Sequence, residues 1–127
     1  LVARYPDKAT HDIERNAALL IVDEVTATAE KRIVELREQR KKLDVEMEFY
    51  KKDPNKAPMS LRRKIGENED GVAELQRFIA GQEQEKRKVH QKFDTELAKL
   101  KVLWEIHKPV VLPAASGVQS GAASTAR

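Results

Sequence analysis

A break containing two prolines divides this chain into two long stretches of helical sequence. Pro54 and Pro58 both lie in segment 53–58, which reads DPNKAP. Proline lacks a backbone donor and clashes with the preceding helical turn, so a helix does not continue through this segment. On each side of the break, apolar residues recur at helical spacing among charged ones. The segment therefore predicts the tip of a helical hairpin.

The predicted fold class is all-α, an antiparallel two-helix coiled-coil hairpin with a disordered C-terminal tail. Asp7 or Thr10 is expected to be the N-cap of the first helix. The tail is rich in Ala, Ser and Gly and has no helical pattern, which favours disorder, although Val111 and Leu112 could form a short docking motif. The expected boundaries are a lead-in at 1–6, a hairpin at 7–108 and a tail at 109–127. Within the hairpin they are a helix at 7–52, a turn at 53–58 and a helix at 58–108.

The apolar residues of both stretches follow the 3–4 alternation that is typical of a left-handed coiled coil. Folding the chain at the tip pairs Leu36 with Val72, and the polar seam residue Arg40 with Asn68. Gly66 and Gly71 lie inside the second helix and each cost about 1 kcal/mol relative to alanine, so a break between them is an alternative to one continuous helix. In the first helix the seam is Leu19, Val22, Thr26, Ala29, Ile33, Leu36, Arg40, Leu43, Met47 and Tyr50. In the second it is Leu61, Ile65, Asn68, Val72, Leu75, Ile79, Gln82, Lys86, Val89, Phe93, Glu96, Leu100 and Leu103.

The composition of the chain argues against catalysis and against metal or cofactor binding. The 127 residues suffice for one domain, and 35% of them are charged while 5% are aromatic, as in a long solvated helix. The net charge of +3 argues against nucleic acid as the partner. With no cysteine, and with His11, His90 and His107 lacking helical metal-site spacing, we expect solvated or interface histidines and no metal or cofactor. We predict neither catalytic residues nor a small-molecule substrate, and no stretch approaches the roughly 20 apolar residues of a membrane span.

The end of the hairpin remote from the tip carries more apolar residues than a two-helix seam can cover, and we call it the apolar base. Trp104 lies beside the predicted seam, so it either leaves its large ring exposed or covers a second surface. Large exposed apolar patches mark interfaces, which predicts a protein partner or a homo-oligomer. The predicted partner interface is Leu20, Ile21, Val25, Phe93, Leu97, Leu100 and Trp104.

The tip is basic. Such a cluster could bind phosphates or an acidic surface, or it could only keep the exposed tip in solution. Phe49 and Tyr50 are the aromatic residues near it, too few for a base-stacking platform. The possible anion-binding residues are Lys51, Lys52, Lys56, Arg62, Arg63 and Lys64.

The chain resembles the helical region found in some bacterial exported proteins of unknown function. The similarity rests on Tyr5-Pro6 before a charged helix, on Glu46-Met47-Glu48-Phe49-Tyr50 before a proline-bearing turn, and on the long Leu61 to Trp104 helix. It implies a periplasmic or cell-envelope setting, with the cytoplasm as the alternative, and no activity. The architecture is also similar to the basic coiled-coil arms of periplasmic holdase chaperones, without their strand-rich body.

The leading hypothesis is a non-enzymatic interaction module, in which a helical hairpin associates through its apolar base with itself or within a larger complex. The alternative is a chaperone-like or anion-binding arm that uses the basic tip.

Overall fold

The computed structural model of the protein describes residues 1–107. Two long helices, α1 (Lys8–Met47) and α2 (Met59–Ile106), are joined by two short 3-10 turns, Glu48–Tyr50 and Pro54–Lys56. No strand occurs within residues 1–107. The predicted helical hairpin is therefore confirmed, whereas the tail predicted at 109–127 lies outside the described residues.

The predicted helix ends at residues 52, 58 and 108 were wrong. The α-helix ends at Met47 because the chain then tightens into 3-10 geometry, in which the amide of Lys51 donates to the carbonyl of Glu48 at 3.3 Å. Asp53 lies outside the helical region, with φ −147° and ψ 81°, as expected for a residue that precedes a proline. The second helix begins at Met59 and ends at Ile106.

The first helix begins at the cap that the sequence indicated. The Asp7 carboxylate accepts hydrogen bonds from the amide of Thr10 at 2.8 Å and from its hydroxyl at 2.7 Å. These bonds lower the pKa of Asp7, the backbone bond more than the side-chain bond, because they stabilise the ionised carboxylate. Of the two residues proposed as N-cap, Asp7 has this role.

Helix α2 is continuous through its glycines, so the break considered between Gly66 and Gly71 is absent. A Cβ atom added to Gly71 would lie 3.3 Å from Cδ1 of Leu36, closer than ordinary van der Waals contact. The glycine thus lets the facing leucine approach the backbone of α2. Gly66 has no such neighbour within 4 Å.

The chain divides into two compact units, which we describe separately. The central unit is Asp12–Asp94, and the terminal unit combines Leu1–His11 with the chain from Thr95 onward. In the central unit the predicted seam is inside: Ala29, Ile33, Leu36, Leu43 and Leu61 are buried. Every residue of the predicted seam that the structure describes is at least partly buried.

Polar contacts across the central unit agree with the predicted register. The buried Asn68 donates from Nδ2 to the carbonyl of Leu36 at 2.7 Å, and Arg40 binds Glu69, the neighbour of its expected partner Asn68, at 2.8 Å. Hydrogen bonds to Asp44 and Glu69 raise the pKa of Arg40. A polar residue in a coiled-coil seam weakens packing but rejects other registers, so Asn68 favours this alignment.

Candidate interaction surfaces

The terminal unit has its own polar and aromatic core. The Tyr5 ring is 2% exposed and meets the His11 ring edge to face, with 4.9 Å between centroids. The Trp104 indole donates from Nε1 to the carbonyl of Tyr5 at 2.9 Å. His11 Nε2 lies 3.2 Å from Oε1 of Glu96. The segment predicted as a lead-in at 1–6 is therefore packed against α2 through Tyr5.

The burial of individual side chains corrects part of the predicted partner interface. Leu100 is fully buried and Phe93 is 5% exposed, so neither side chain is available to a partner. Leu97 and Trp104 are half-buried, and Trp104 has a hydrogen-bond partner inside the terminal unit. The physical reason is that the chain's own first residues cover the indole, a role that was predicted for a second molecule.

His11 was expected to be solvated or at an interface, and this was wrong because it is 0% exposed. A sequence signal for this contact exists at the cap of α1. An apolar residue just before an N-cap often packs on the fourth helical residue. Tyr5 lies two residues before Asp7, and His11 is the fourth residue of α1, so the pair forms a contact of this type displaced by one residue.

Three members of the predicted interface are exposed as expected, and all lie on α1 in the central unit. Leu20 is 57% exposed, Ile21 65% and Val25 38%. The same helix exposes Ile13 and Val34. Segment 16–29 contains two charged residues, Asp23 and Glu24, so this part of α1 is apolar around most of its circumference. We call this surface, from Ile13 to Val34 on the side away from the seam, the outer face of α1.

A shallow groove adjoins this region. It has a volume of about 520 Å³, and it is lined by Val25, Thr28, Ala29 and Arg32 on α1 and by Leu75 and Phe78 on α2. Phe78, which was not among the predicted interface residues, is 43% exposed. Its position one residue before the seam residue Ile79 is the signal that could have identified it.

The basic side chains of the tip differ in whether they contact another side chain. Lys51 pairs with Glu48 at 3.1 Å, and Arg62 contacts the Met59 sulfur at 3.0 Å. Four of the cations predicted to bind anions are exposed and form no ion pair within residues 1–107: Lys52, Lys56, Arg63 and Lys64. The tip also contains a small apolar core of Leu43, Ala57 and Leu61.

No protein-family model, curated protein or solved structure matches this chain. Within residues 1–107, no three His, Cys, Asp or Glu side chains come together as they would at a metal site. None of the described helices has the length and apolar character required to cross a membrane. The proposed function therefore rests on the exposed apolar face of α1 and on the basic tip.

Proposed function

We propose that this chain is a non-enzymatic protein-interaction module that associates through the outer face of α1. The observation that supports the proposal is the exposure of Leu20 and Ile21, with Val25 beside them. These side chains lie on a helix whose opposite side is already buried in the hairpin seam. An exposed apolar patch bordered by charged residues is the usual character of a protein-binding surface.

Energetics favour a partner for this face. Fully burying a leucine or isoleucine side chain contributes about 1.5–3 kcal/mol relative to leaving it exposed. Leu20 and Ile21 do not obtain that contribution within the central unit, because more than half of each side chain is exposed. Association recovers it, and a two-helix unit gains more from such burial than a larger domain, since it buries a smaller share of its own surface.

The setting we propose is the periplasm or cell envelope, and its support is the sequence resemblance to the helical region of bacterial exported proteins. A cytoplasmic setting is the alternative. Fractionation of cells that produce the protein from its natural reading frame distinguishes the two, because an envelope protein is released with the periplasmic or membrane fraction.

A photo-crosslinking amino acid at Ile21 tests the proposed function in the source cell. The matched control carries the same amino acid at Arg77, an exposed residue of α2 in the same unit. We expect Ile21 to yield a discrete crosslinked species and Arg77 to yield none. The absence of any discrete species from Ile21 and from a second probe at Leu20 would overturn the proposal, whatever the partner.

The basic tip supports a second candidate function, a chaperone-like or anion-binding arm. Its support is that Lys52, Lys56, Arg63 and Lys64 are exposed and form no ion pair within residues 1–107. Reversal of Arg62, Arg63 and Lys64 to Glu should then abolish binding of nucleic acid or anionic vesicles at low salt. If the native chain shows no salt-dependent binding to either probe, the tip cations only solubilise the tip.

A further inference from the structure

We propose that the tip of the hairpin docks on an anionic lipid bilayer, with its cations at the lipid phosphates and with Phe49 and Met59 inserted into the bilayer interface. This inference rests on the second candidate function, the anion-binding arm, and names its ligand. The docking site is segment 48–64, which belongs to the central unit.

Phe49 lies outside the core of the tip. That core consists of Leu43, Ala57 and Leu61, and Tyr50 packs against it. Phe49, the neighbour of Tyr50 in the sequence, is 85% exposed. Because Tyr50 already supplies the aromatic ring that packs on this core, folding of the tip does not require the ring of Phe49. That ring is therefore available to a surface outside the chain.

A second large apolar side chain is exposed at the tip, and each of the two lies near a cation. Met59, the first residue of α2, is 66% exposed, and the guanidinium of Arg62 lies 3.0 Å from its sulfur. Phe49 and Lys64 line the same shallow depression. Apolar side chains beside cations are typical of segments that bind at a membrane surface, because the apolar part enters the acyl boundary while the charge stays among the headgroups.

The charge of the tip is complementary to an anionic surface. Segment 48–64 contains six basic residues and two acidic ones, Glu48 and Asp53. Glu48 is already paired with Lys51 at 3.1 Å. Each basic residue near an anionic bilayer strengthens binding about fivefold. Stable attachment to a membrane generally takes two such signals together, and the tip combines electrostatic attraction with apolar insertion.

The exposed apolar side chains favour a bilayer over nucleic acid as the anionic ligand. Phosphates attract the cations of the tip in either case. Nucleic acid binds aromatic side chains by base stacking, but Tyr50 is half-buried and Met59 has no planar face on which a base can stack. A bilayer interface removes both Phe49 and Met59 from water.

Vesicle cosedimentation at physiological ionic strength tests the role of charge. The probes are vesicles of phosphatidylcholine alone and of phosphatidylcholine mixed with phosphatidylglycerol. We expect the native chain to bind the mixed vesicles and to bind phosphatidylcholine alone at least about tenfold more weakly. Lys56→Gln/Lys64→Gln should bind the mixed vesicles about thirtyfold more weakly than the native chain. The control Lys31→Gln/Arg77→Gln removes the same charge from exposed positions of the same unit outside the tip and should bind nearly as the native chain does.

The apolar contribution is tested by Phe49→Ser, which leaves the charge of the tip unchanged. We expect this variant to bind the mixed vesicles about tenfold more weakly, because one large apolar side chain no longer enters the interface. The control is Val102→Ser, at an exposed valine of the terminal unit, which should bind as the native chain does. Circular dichroism verifies that each variant remains helical. Unchanged binding of Phe49→Ser, or equal losses in Lys56→Gln/Lys64→Gln and its control, would overturn the proposal.

A fluorescent label locates the contact on the protein. The native chain has no cysteine, so Asn55→Cys gives a single attachment point at the tip for an environment-sensitive fluorophore. The matched control is Ile21→Cys, which carries the same label on the outer face of α1. We expect the mixed vesicles to shift the emission of the label at Asn55 to shorter wavelengths and to leave the label at Ile21 unchanged. No shift at Asn55 would overturn the proposal.

Binding of a DNA duplex, measured beside the vesicles, separates this inference from the function on which it rests. A native chain that binds the duplex but not the mixed vesicles would retain the anion-binding arm and reject the bilayer as its ligand. If the native chain binds neither probe, the anion-binding arm fails as well. Neither result affects the interaction module, which is tested separately by crosslinking at Ile21.

Discussion

The terminal unit and the outer face of α1 are both rich in apolar residues, but they use them differently. In the terminal unit, Leu100 is fully buried, and Trp104 donates its indole hydrogen to the carbonyl of Tyr5. On the outer face of α1, more than half of Leu20 and Ile21 is exposed. Apolar composition alone therefore does not identify an interface, because a short segment of the same chain can cover the surface.

The difference has an energetic consequence. Buried side chains of the terminal unit contribute to the free energy of folding of one chain, whereas the exposed side chains of α1 contribute little to it. Substitutions in the first group should therefore change stability at every protein concentration. Substitutions in the second should change stability only at concentrations where association occurs.

The largest expected effect comes from Leu100→Ala. Truncation of a buried leucine removes its transfer free energy and leaves a cavity, which together cost about 2–5 kcal/mol. Leu20→Ala, measured in dilute solution, should change the free energy of unfolding by about 0.5 kcal/mol or less, because its side chain is exposed. Chemical denaturation followed by circular dichroism gives both values. Equal losses in the free energy of unfolding for Leu100→Ala and Leu20→Ala would contradict the distinction between the two regions.

A smaller loss is expected for Trp104→Phe. The substitution keeps an aromatic ring but removes the donor to the carbonyl of Tyr5, and one hydrogen bond contributes about 0.5–1.5 kcal/mol. Phe49→Leu is the control, because Phe49 is 85% exposed and its replacement should be nearly neutral. Thermal unfolding at low protein concentration measures both. A Trp104→Phe variant as stable as native would show that the indole contact does not stabilise the terminal unit.

The smallest expected effect is the pH dependence contributed by Asp7. Its pKa in the folded protein lies below the ordinary value of 3.8, chiefly because the backbone amide of Thr10 donates to the carboxylate. The stabilisation is therefore fully present above about pH 4 and is lost as the pH falls through the lowered pKa. Asn is also a good N-cap but does not ionise, so Asp7→Asn should reduce the loss of thermal stability on acidification. Identical acid profiles for the two proteins would exclude this contribution.

Local rules were sufficient to predict the hairpin. The two prolines define the tip, and the heptad positions from Leu19 to Leu103 include the residues that the structure buries in the seam. The N-cap of α1 also followed from residue type and position. The end of α1 was wrong by five residues, because the chain passes into a 3-10 turn at Glu48–Tyr50 that apolar periodicity does not distinguish from the last helical turn.

The terminal unit could not be predicted in this way. Tyr5 and Trp104 are 99 residues apart in the sequence, and no periodic pattern indicates that they meet. Periodicity placed Trp104 beside the seam, and its large ring was therefore assigned to a surface for a partner. The exposure of Leu20 and Ile21 was predicted correctly because it depends only on their angular position on α1, outside the heptad seam.

Sedimentation equilibrium of the native chain, from low to high micromolar concentration, tests the central claim most directly. The claim is that α1 carries an exposed apolar surface through which the chain associates. We predict a concentration-dependent shift from the mass of one chain, 14.4 kDa, toward twice that mass, and the loss of this shift in a Leu20→Gln/Ile21→Gln variant. A constant mass of one chain over the whole range, or an unchanged shift in the variant, would contradict the account.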